Sequence, residues 1–513
     1  MFQIRALGHH GWLFRTATTT LAVDPLLGPR FAFTPHLVVW PERALAPDQF
    51  PKLDAIFLTH EHEGHFDPFT LSLLPRDTPV WIPSRSSGAM QRAIEEMGFS
   101  VRRARAGAPI VVGDIELFPI AGDHTSAAIE EWDLLAYTVR DLAGEGSFFT
   151  HVDLRLTDVM RDQVLARLGR PGLLAITGNE HQYTFQTSWR APDPGAAAAL
   201  ARDMTEEHRW FEERGAAPAG LLLVGGGWAF EGPIAWLNGN AFHVDLDGVA
   251  RAVAALLPRS LVAWAKPGDA WTFVDGRLVQ ASAADVGVGP APATSREFVG
   301  DVKWLEDYTP ACGRTTITDA ELGSLREELA RFAAALYASH TFRTLHSLQE
   351  AELGDRDATF ALVLRADDQG GAYVFAYSSQ ECAFVPVDCL APTERYLAVY
   401  ECWATDLLDN FLVRQSQNAL AFGRSRTWNA APDRFPFNLT RELFVYTHPL
   451  RFPERFLDLY RRLTPASARS ARVDDLHPIG EHPGPTVGES AASRLCHTDR
   501  REREKDGPTH DRR

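Results

Sequence analysis

Cysteine is scarce. The five residues Cys312, Cys382, Cys389, Cys402 and Cys496 are an odd number in 513, with no C-x-x-C spacing and no histidine pair beside them. That excludes a disulfide framework or a structural zinc knuckle as the organising device, and the thiols are expected to be reduced. Long apolar runs are missing too. None reaches the ~18 residues of a membrane span, and the opening Met1–His10 lacks the charged-then-apolar order of a secretory leader. A soluble, cytoplasmic protein is the expectation. Basic charge is outweighed, with 51 Lys and Arg against 67 Asp and Glu and a formal net charge of −16. Such a surface repels phosphate backbones and anionic membranes, so no nucleic acid is expected and a small-molecule substrate is the better fit. No internal repeat stands out.

What is present is an ordinary globular balance, 45% hydrophobic and 23% charged. The length exceeds what one core usually organises, so two domains are expected. Residues 1–282 read as strands followed by alternating strands and helices. Strand patterns occupy Phe2–Leu7, Gly11–Phe14, Thr19–Val23 and Ala55–Leu58; Asp67-Pro68 reads as an N-cap with proline at N1. This order argues for a layered αββα sandwich, an α/β fold. Residues 283–297 lie in a stretch of Ala, Pro, Gly, Ser and Val without a sustained period, the composition of a linker between independently folding units. Residues 298–465 read as a second, smaller α+β domain of unknown role. Residues 466–513 have few large apolar side chains and are expected to form a disordered tail.

Chemistry concentrates in Thr59-His60-Glu61-His62-Glu63-Gly64-His65-Phe66-Asp67. Three histidines in six residues, on a loop leaving an apolar strand, are a compact source of imidazole, the usual ligand for zinc and a common one for iron and manganese. Alternation in extended chain lets His60 and His62 point the same way, and the following turn brings His65 nearby. The same alternation turns Glu61 and Glu63 away, toward solvent.

The pattern Leu58-Thr59-His60-x-His62-x-x-His65 resembles the signature loop of the metallo-β-lactamase superfamily. The opening Leu7-Gly8-His9-His10-Gly11-Trp12-Leu13, followed by Leu21-Ala22-Val23-Asp24-Pro25, is similar to the hairpin of one branch. That branch includes ascorbate-6-phosphate lactonases, N-acyl-phosphatidylethanolamine phospholipases and CMP-N-acetylneuraminate hydroxylases. The resemblance covers about residues 1–280. It implies a metal held by His60, His62 and His124 with the carboxylate of Asp153, and a catalytic place for Asp153 and His65. His9, Asp24 and Asp67 become candidates for the surrounding shell, although Asp67 has a sufficient role as an N-cap.

Two departures from the family pattern matter. Gly64 stands where the family has an aspartate that ligates a second metal. The family's final histidine should end a late strand, yet Leu221–Val224 runs into Gly225-Gly226-Gly227-Trp228; His181 and His243 are nearby but poorly placed. One tightly bound divalent ion is therefore expected, zinc first, with iron or manganese as alternatives. His151 and Asp123 flank expected ligands without a clear ligating role. Trp228, Trp236, Tyr183 and Trp189 are candidates for a pocket wall or for packing.

Three functions stay open. A metal-dependent hydrolase would use metal-activated water on an ester, lactone, amide or phosphate. A non-haem iron oxygenase or oxidoreductase would use the same donors. A binding or regulatory protein with a decayed site is the third.

Overall fold

Alternation along the first strands decides the architecture. In β1 (Phe2–Gly8), β2 (Gly11–Arg15), β3 (Thr20–Val23) and β4 (Ala55–Phe57), successive side chains leave on opposite faces. Ile4, Trp12, Phe14, Val23 and Phe57 enter one core, while Leu7, Leu13, Ala22 and Ile56 enter another. A sheet that is apolar on both faces needs a layer against each.

A computed structural model describes residues 1–31, 36–45, 50–122, 132–144, 146–178, 195–242, 244–281, 288–290, 310–339, 342–343, 347, 351, 360–378, 380–387, 396–416, 418–421, 424–429 and 439–468. The first sheet has eight strands in the order Arg277–Ala281, Ala270–Val274, β1, β2, β3, β4, Val80–Pro83, Val101–Ala104. Facing it is a seven-stranded sheet ordered Leu261–Trp264, Gly220–Val224, Leu173–Thr177, Ser147–Thr150, Leu135–Asp141, Ile115–Ala121, Ile110–Val112. Between the sheets Phe14 meets Tyr137 and Phe148 edge-on, at ring separations of 6.4 and 5.1 Å. The outer core of the first sheet is closed by α1 (Pro68–Leu73) and α2 (Gly88–Glu96), which contribute Leu71, Met90 and Ile94. Helices Asp158–Leu168, Ala196–Glu212 and Leu246–Leu256 pack Val164, Leu200 and Val253 into the core of the second sheet. The result is the αββα sandwich.

The chain divides into two compact units that are not consecutive in sequence. The first comprises Met1–Arg314, Asp409–Arg426 and the stretch that begins at Thr447. Its late member is the helix Pro453–Leu463, whose Phe456, Leu457, Leu459 and Tyr460 join Leu71, Met90 and Ile94 in the outer core. A polar face opposite that apolar stripe suits a helix lying on a surface. The second unit holds Thr315–Leu408 and Thr427–Tyr446. Its helix Asp319–Ala338 opens with a Thr318–Glu321 capping box. In its sheet, Phe360–Arg365 runs antiparallel to Ala372–Ser378 and parallel to Ala398–Trp403. This is a second α+β domain.

Within the stretch expected to link the domains, Val288–Pro290 pairs antiparallel with Arg43–Leu45. Its neighbours 282–287 and 291–300 lie outside the described residues, as does the expected tail beyond Ala468. Cys402 is a buried free thiol. No helix among the described residues is long and apolar enough to cross a membrane.

Candidate metal centre

The histidine loop leaves β4 anchored to both sheets. Leu58 N–H donates to the Trp81 carbonyl and Leu135 N–H donates to that of Thr59, at 2.9 and 3.1 Å. The next fixed point is Asp24, just beyond β3, with a left-handed backbone at φ 42° and no exposed surface. Its carboxylate accepts from Thr59 N–H at 2.7 Å and from the Thr59 hydroxyl at 2.6 Å, and lies 2.8 Å from His65 Nδ1.

These contacts settle the tautomers of two imidazoles. A carboxylate only accepts, so His65 carries its proton on Nδ1 and donates it to Asp24. Thr59 spends its single hydroxyl proton on Asp24, so its oxygen, 3.0 Å from His60 Nδ1, accepts from that nitrogen. Asp24 thus orients His65 directly and His60 through Thr59. In both rings this commits Nδ1 to the scaffold and turns Nε2 inward. A carboxylate behind a ligating imidazole is the arrangement that fixes ring orientation and raises ligand basicity in metal sites.

Both Nε2 atoms face Asp153, which follows the strand Ser147–Thr150. His65 Nε2 lies 3.0 Å and His60 Nε2 3.7 Å from Asp153 Oδ2. His60, His65 and Asp153 each offer one donor atom within 4.8 Å of the others. Donors at about 2.0–2.2 Å from one tetrahedral ion stand roughly 3.2–3.6 Å apart, and the two imidazole-to-carboxylate distances, 3.0 and 3.7 Å, bracket that range, so these donors can hold a divalent metal. His60 Nε2 is buried with no hydrogen-bond partner, as a nitrogen reserved for an ion would be.

Electrostatics agree with the donor chemistry. Burial, with His65 and His62 adding to it, holds His60 well below the ordinary imidazole range, in the neutral form that binds metal. Burial opposes charge on Asp153 as well, but His10 and His65 outweigh it and hold the carboxyl well below the usual carboxylate range. For His65, burial again opposes the charge, and Asp24 and Asp153 overcome it, raising the metal-free imidazole to about 10.

The other expected residues fall in different places. His62 stands beside His60, with ring centres 4.8 Å apart, and is half-buried outside the converging trio. His124 and Asp123, His181 and His243, and Tyr183 and Trp189 lie outside the described residues. Asp67 caps α1, accepting from Phe69 N–H and Thr70 N–H at 3.1 Å. His151 has both ring nitrogens in use: one bonds the Leu154 carbonyl and the other accepts from Thr177 N–H at 3.2 Å. It holds the turn that presents Asp153. His9 lies edge-on to His65, Phe31 and Trp228, with ring centres 5.2, 5.0 and 5.6 Å away. Trp228 stacks on Phe31, and the glycine before it lets the His9 backbone approach closely: a Cβ at Gly227 would sit 2.7 Å from His9 Cα.

One expectation changes, and Gly64 gains a physical reason. Glu61 does not face solvent; it is buried, accepting from Ser87 N–H, the Ser87 hydroxyl and the Tyr460 hydroxyl at 3.0, 2.6 and 2.8 Å. Alternation gave its direction away from His60 correctly, but α2 and the helix Pro453–Leu463 cover the face it meets. Gly64 has φ +104°, and a Cβ there would approach Phe31 to 2.8 Å. An aspartate at that position would therefore be strained before it could ligate anything.

Three residues escaped the sequence reading. His10 is buried beside Asp153. Asp133, buried near Glu61 and bonded to the Ser86 hydroxyl, is pushed up to about 8, by burial first and then by Glu61. His448 returns late in the chain to lie against Trp132, the rings tilted by 59°, and is held down at about 3, by burial first and then by His62. Only His10 had a signal, its place in the hairpin motif.

Comparison with known proteins matches residues 19–264 to the beta-lactamase superfamily domain. Residues 19–264, within the first unit, carry the fold of the metallo-β-lactamase superfamily. The family match does not reach the second unit. Solved structures similar to this metallo-β-lactamase fold include CmlA, a diiron beta-hydroxylase from Streptomyces venezuelae, at 15% identity, covering 55% of this chain and 54% of that one, with a TM-score of 0.34. Another is the isothiocyanate hydrolase from Delia radicum gut bacteria, at 15% identity, covering 55% of this chain and 99% of that one, with a TM-score of 0.36. A curated relative from Mycolicibacterium smegmatis, named as a Rieske 2Fe-2S iron-sulfur protein, is 27% identical over 99 residues. That match spans 19% of each chain.

Proposed function

We propose that this protein is a metal-dependent hydrolase acting on a small molecule at an ester, lactone, amide or phosphate centre. The observation that carries the reading is the convergence of His60 and His65 Nε2 on Asp153, with both Nδ1 atoms committed to Asp24 and Thr59. His60, His65 and Asp153 would hold the ion, with His62 joining on the strength of the loop resemblance and His124 on that of the family's third histidine further along the chain. A bound zinc-class ion supplies a water of near-neutral pKa and polarises the electrophilic oxygen of the substrate.

The chain's own residues do the rest. Asp153 stays ionised and offsets the metal's charge, and its depressed basicity suits it to hold charge more than to take a proton. Asp24 keeps His65 and His60 in one tautomer, so neither ring has to flip before binding. Phe31 and Trp228 make an apolar wall beside His9 that restricts water on that side.

Metal analysis of protein purified without chelator or affinity-column metal tests the reading, followed by a panel of ester, lactone, amide and phosphate substrates. The expected result is a colourless zinc protein that hydrolyses at least one class and loses that activity to a chelator. Iron, with absorption that responds to reduction or O₂, would overturn hydrolysis in favour of redox chemistry on the same donors. Protein that retains no metal and whose melting temperature ignores added zinc, manganese and iron would overturn both.

A further inference from the structure

One imidazole at this centre has no structural use. His10 closes the β1–β2 turn and is 1% exposed. Both its Nδ1 and Nε2 are buried without a hydrogen-bond partner. A buried polar atom left unmade costs about 1–3 kcal/mol, and native chains rarely tolerate one without an ion, a water or a functional reason. The contrast with His151 is direct. That ring is also buried near Asp153, yet backbone groups satisfy both its nitrogens.

His10 is also aimed. Its Nε2 lies 3.5 Å from Asp153 Oδ1, the oxygen opposite the one that faces His60 and His65. The spacing to Asp153 is longer than a hydrogen bond and close to the roughly 3.2–3.6 Å edge between two ligands of one tetrahedral ion, although His10, like His62, lies outside the trio whose donors converge most closely. Its ring lies nearly parallel to that of His65, at 25° and 5.4 Å, so the two imidazoles approach Asp153 side by side. The backbone explains how adjacent histidines take different roles. Gly8 and His9 both have positive φ, 110° and 51°, and this turn sends His9 against Phe31 and Trp228 while His10 points inward.

We infer that His10 is a metal ligand of this chain, joining His60, His65 and Asp153 from the hairpin side and supplying a donor to a loop that has none at Gly64. The inference rests on the metal-binding reading above and adds a ligand to it.

The test uses the full chain, with Zn²⁺ and Co²⁺ alone as probes, in unmodified protein and in His10→Leu. Leucine replaces an unpaired polar ring with apolar atoms, so the metal-free melting temperature should hold or rise. Co²⁺ affinity should fall at least ~100-fold, with a changed visible band, and Zn²⁺ should no longer raise the melting temperature. Wild-type affinity and spectrum in His10→Leu would overturn the inference and leave the metal site standing. No metal uptake by the unmodified chain would overturn both. Should His10→Leu fail to fold, anomalous diffraction from the unmodified zinc-loaded chain decides: an ion at about 2.0–2.1 Å from a His10 nitrogen supports the assignment, and an ion well outside that distance overturns it.

Discussion

The two faces of the Thr59–His65 loop are built for different ends. On one, His60 and His65 each anchor one nitrogen and leave the other facing Asp153. On the other, Glu61 accepts three hydrogen bonds from Ser87 and Tyr460. The first face keeps coordination capacity unspent, whereas the second spends its own on holding the loop down. Neighbouring residues thus divide into chemistry and anchorage, and the anchor comes from far away, 26 residues off at Ser87 and 399 at Tyr460.

The largest effect should come from removing the remote anchor. A chain ending at Ser282 lacks the helix Pro453–Leu463 and uncovers the surface that Phe456, Leu457, Leu459 and Tyr460 seal. At ~1.5–3 kcal/mol per large apolar side chain buried, the loss is of the order of a domain's whole stability. The expected outcome is a truncated chain that aggregates or binds a hydrophobic dye, with no cooperative melt. Cooperative melting and zinc uptake by that chain would break the comparison, because the anchoring face would then be dispensable.

Next in size is Asp24→Ala, which strikes the imidazole face alone. It leaves Thr59 N–H, the Thr59 hydroxyl and His65 Nδ1 without their acceptor in a buried setting. Breaking such a pair costs about 3–5 kcal/mol. Loss of the carboxylate behind a ligating histidine weakens metal by roughly 10–100-fold. Zinc titration and chemical denaturation should show both losses together. A stability loss with unchanged zinc affinity would detach Asp24 from the metal centre.

Much of this was legible in the residues, and the rest was hidden for identifiable reasons. The order of strands followed by alternating strands and helices pointed to the sandwich, and Asp67-Pro68 announced α1, because both rest on local signals. The three loop histidines and Asp153 stood out by type and order. His10 did not, since strict alternation cannot foresee two successive positive-φ residues, one of them a histidine. Glu61 was assigned to solvent because nothing near it in sequence shows that Ser87 and Tyr460 will close over it. The return of the chain from Thr447 into the first unit is equally a matter of long-range packing.

The smallest predicted effect sharpens the comparison most. Tyr460→Phe deletes one hydroxyl from the anchoring face and keeps the ring that packs edge-on against Phe66. Burial pushes the Glu61 carboxyl up to about 7, while the bonds from Ser87 and Tyr460 pull the other way. The ordinary carboxyl value is 4.5, so between 4.5 and about 7 the folded chain holds more proton here than the unfolded one. This group's contribution to stability therefore falls as pH rises through that window. Without the Tyr460 hydroxyl the folded value moves higher and the ionised form loses a donor. The variant should thus be close to wild type at pH 5 and about 1–3 kcal/mol less stable at pH 8.5. Urea denaturation at the two pH values measures this, and zinc affinity should move less than ~3-fold, since no bond to His60 or His65 changes. A fall in zinc affinity as large as that of Asp24→Ala would mean that the loop transmits strain from Glu61 to His60, and the two faces would have to be treated as one unit.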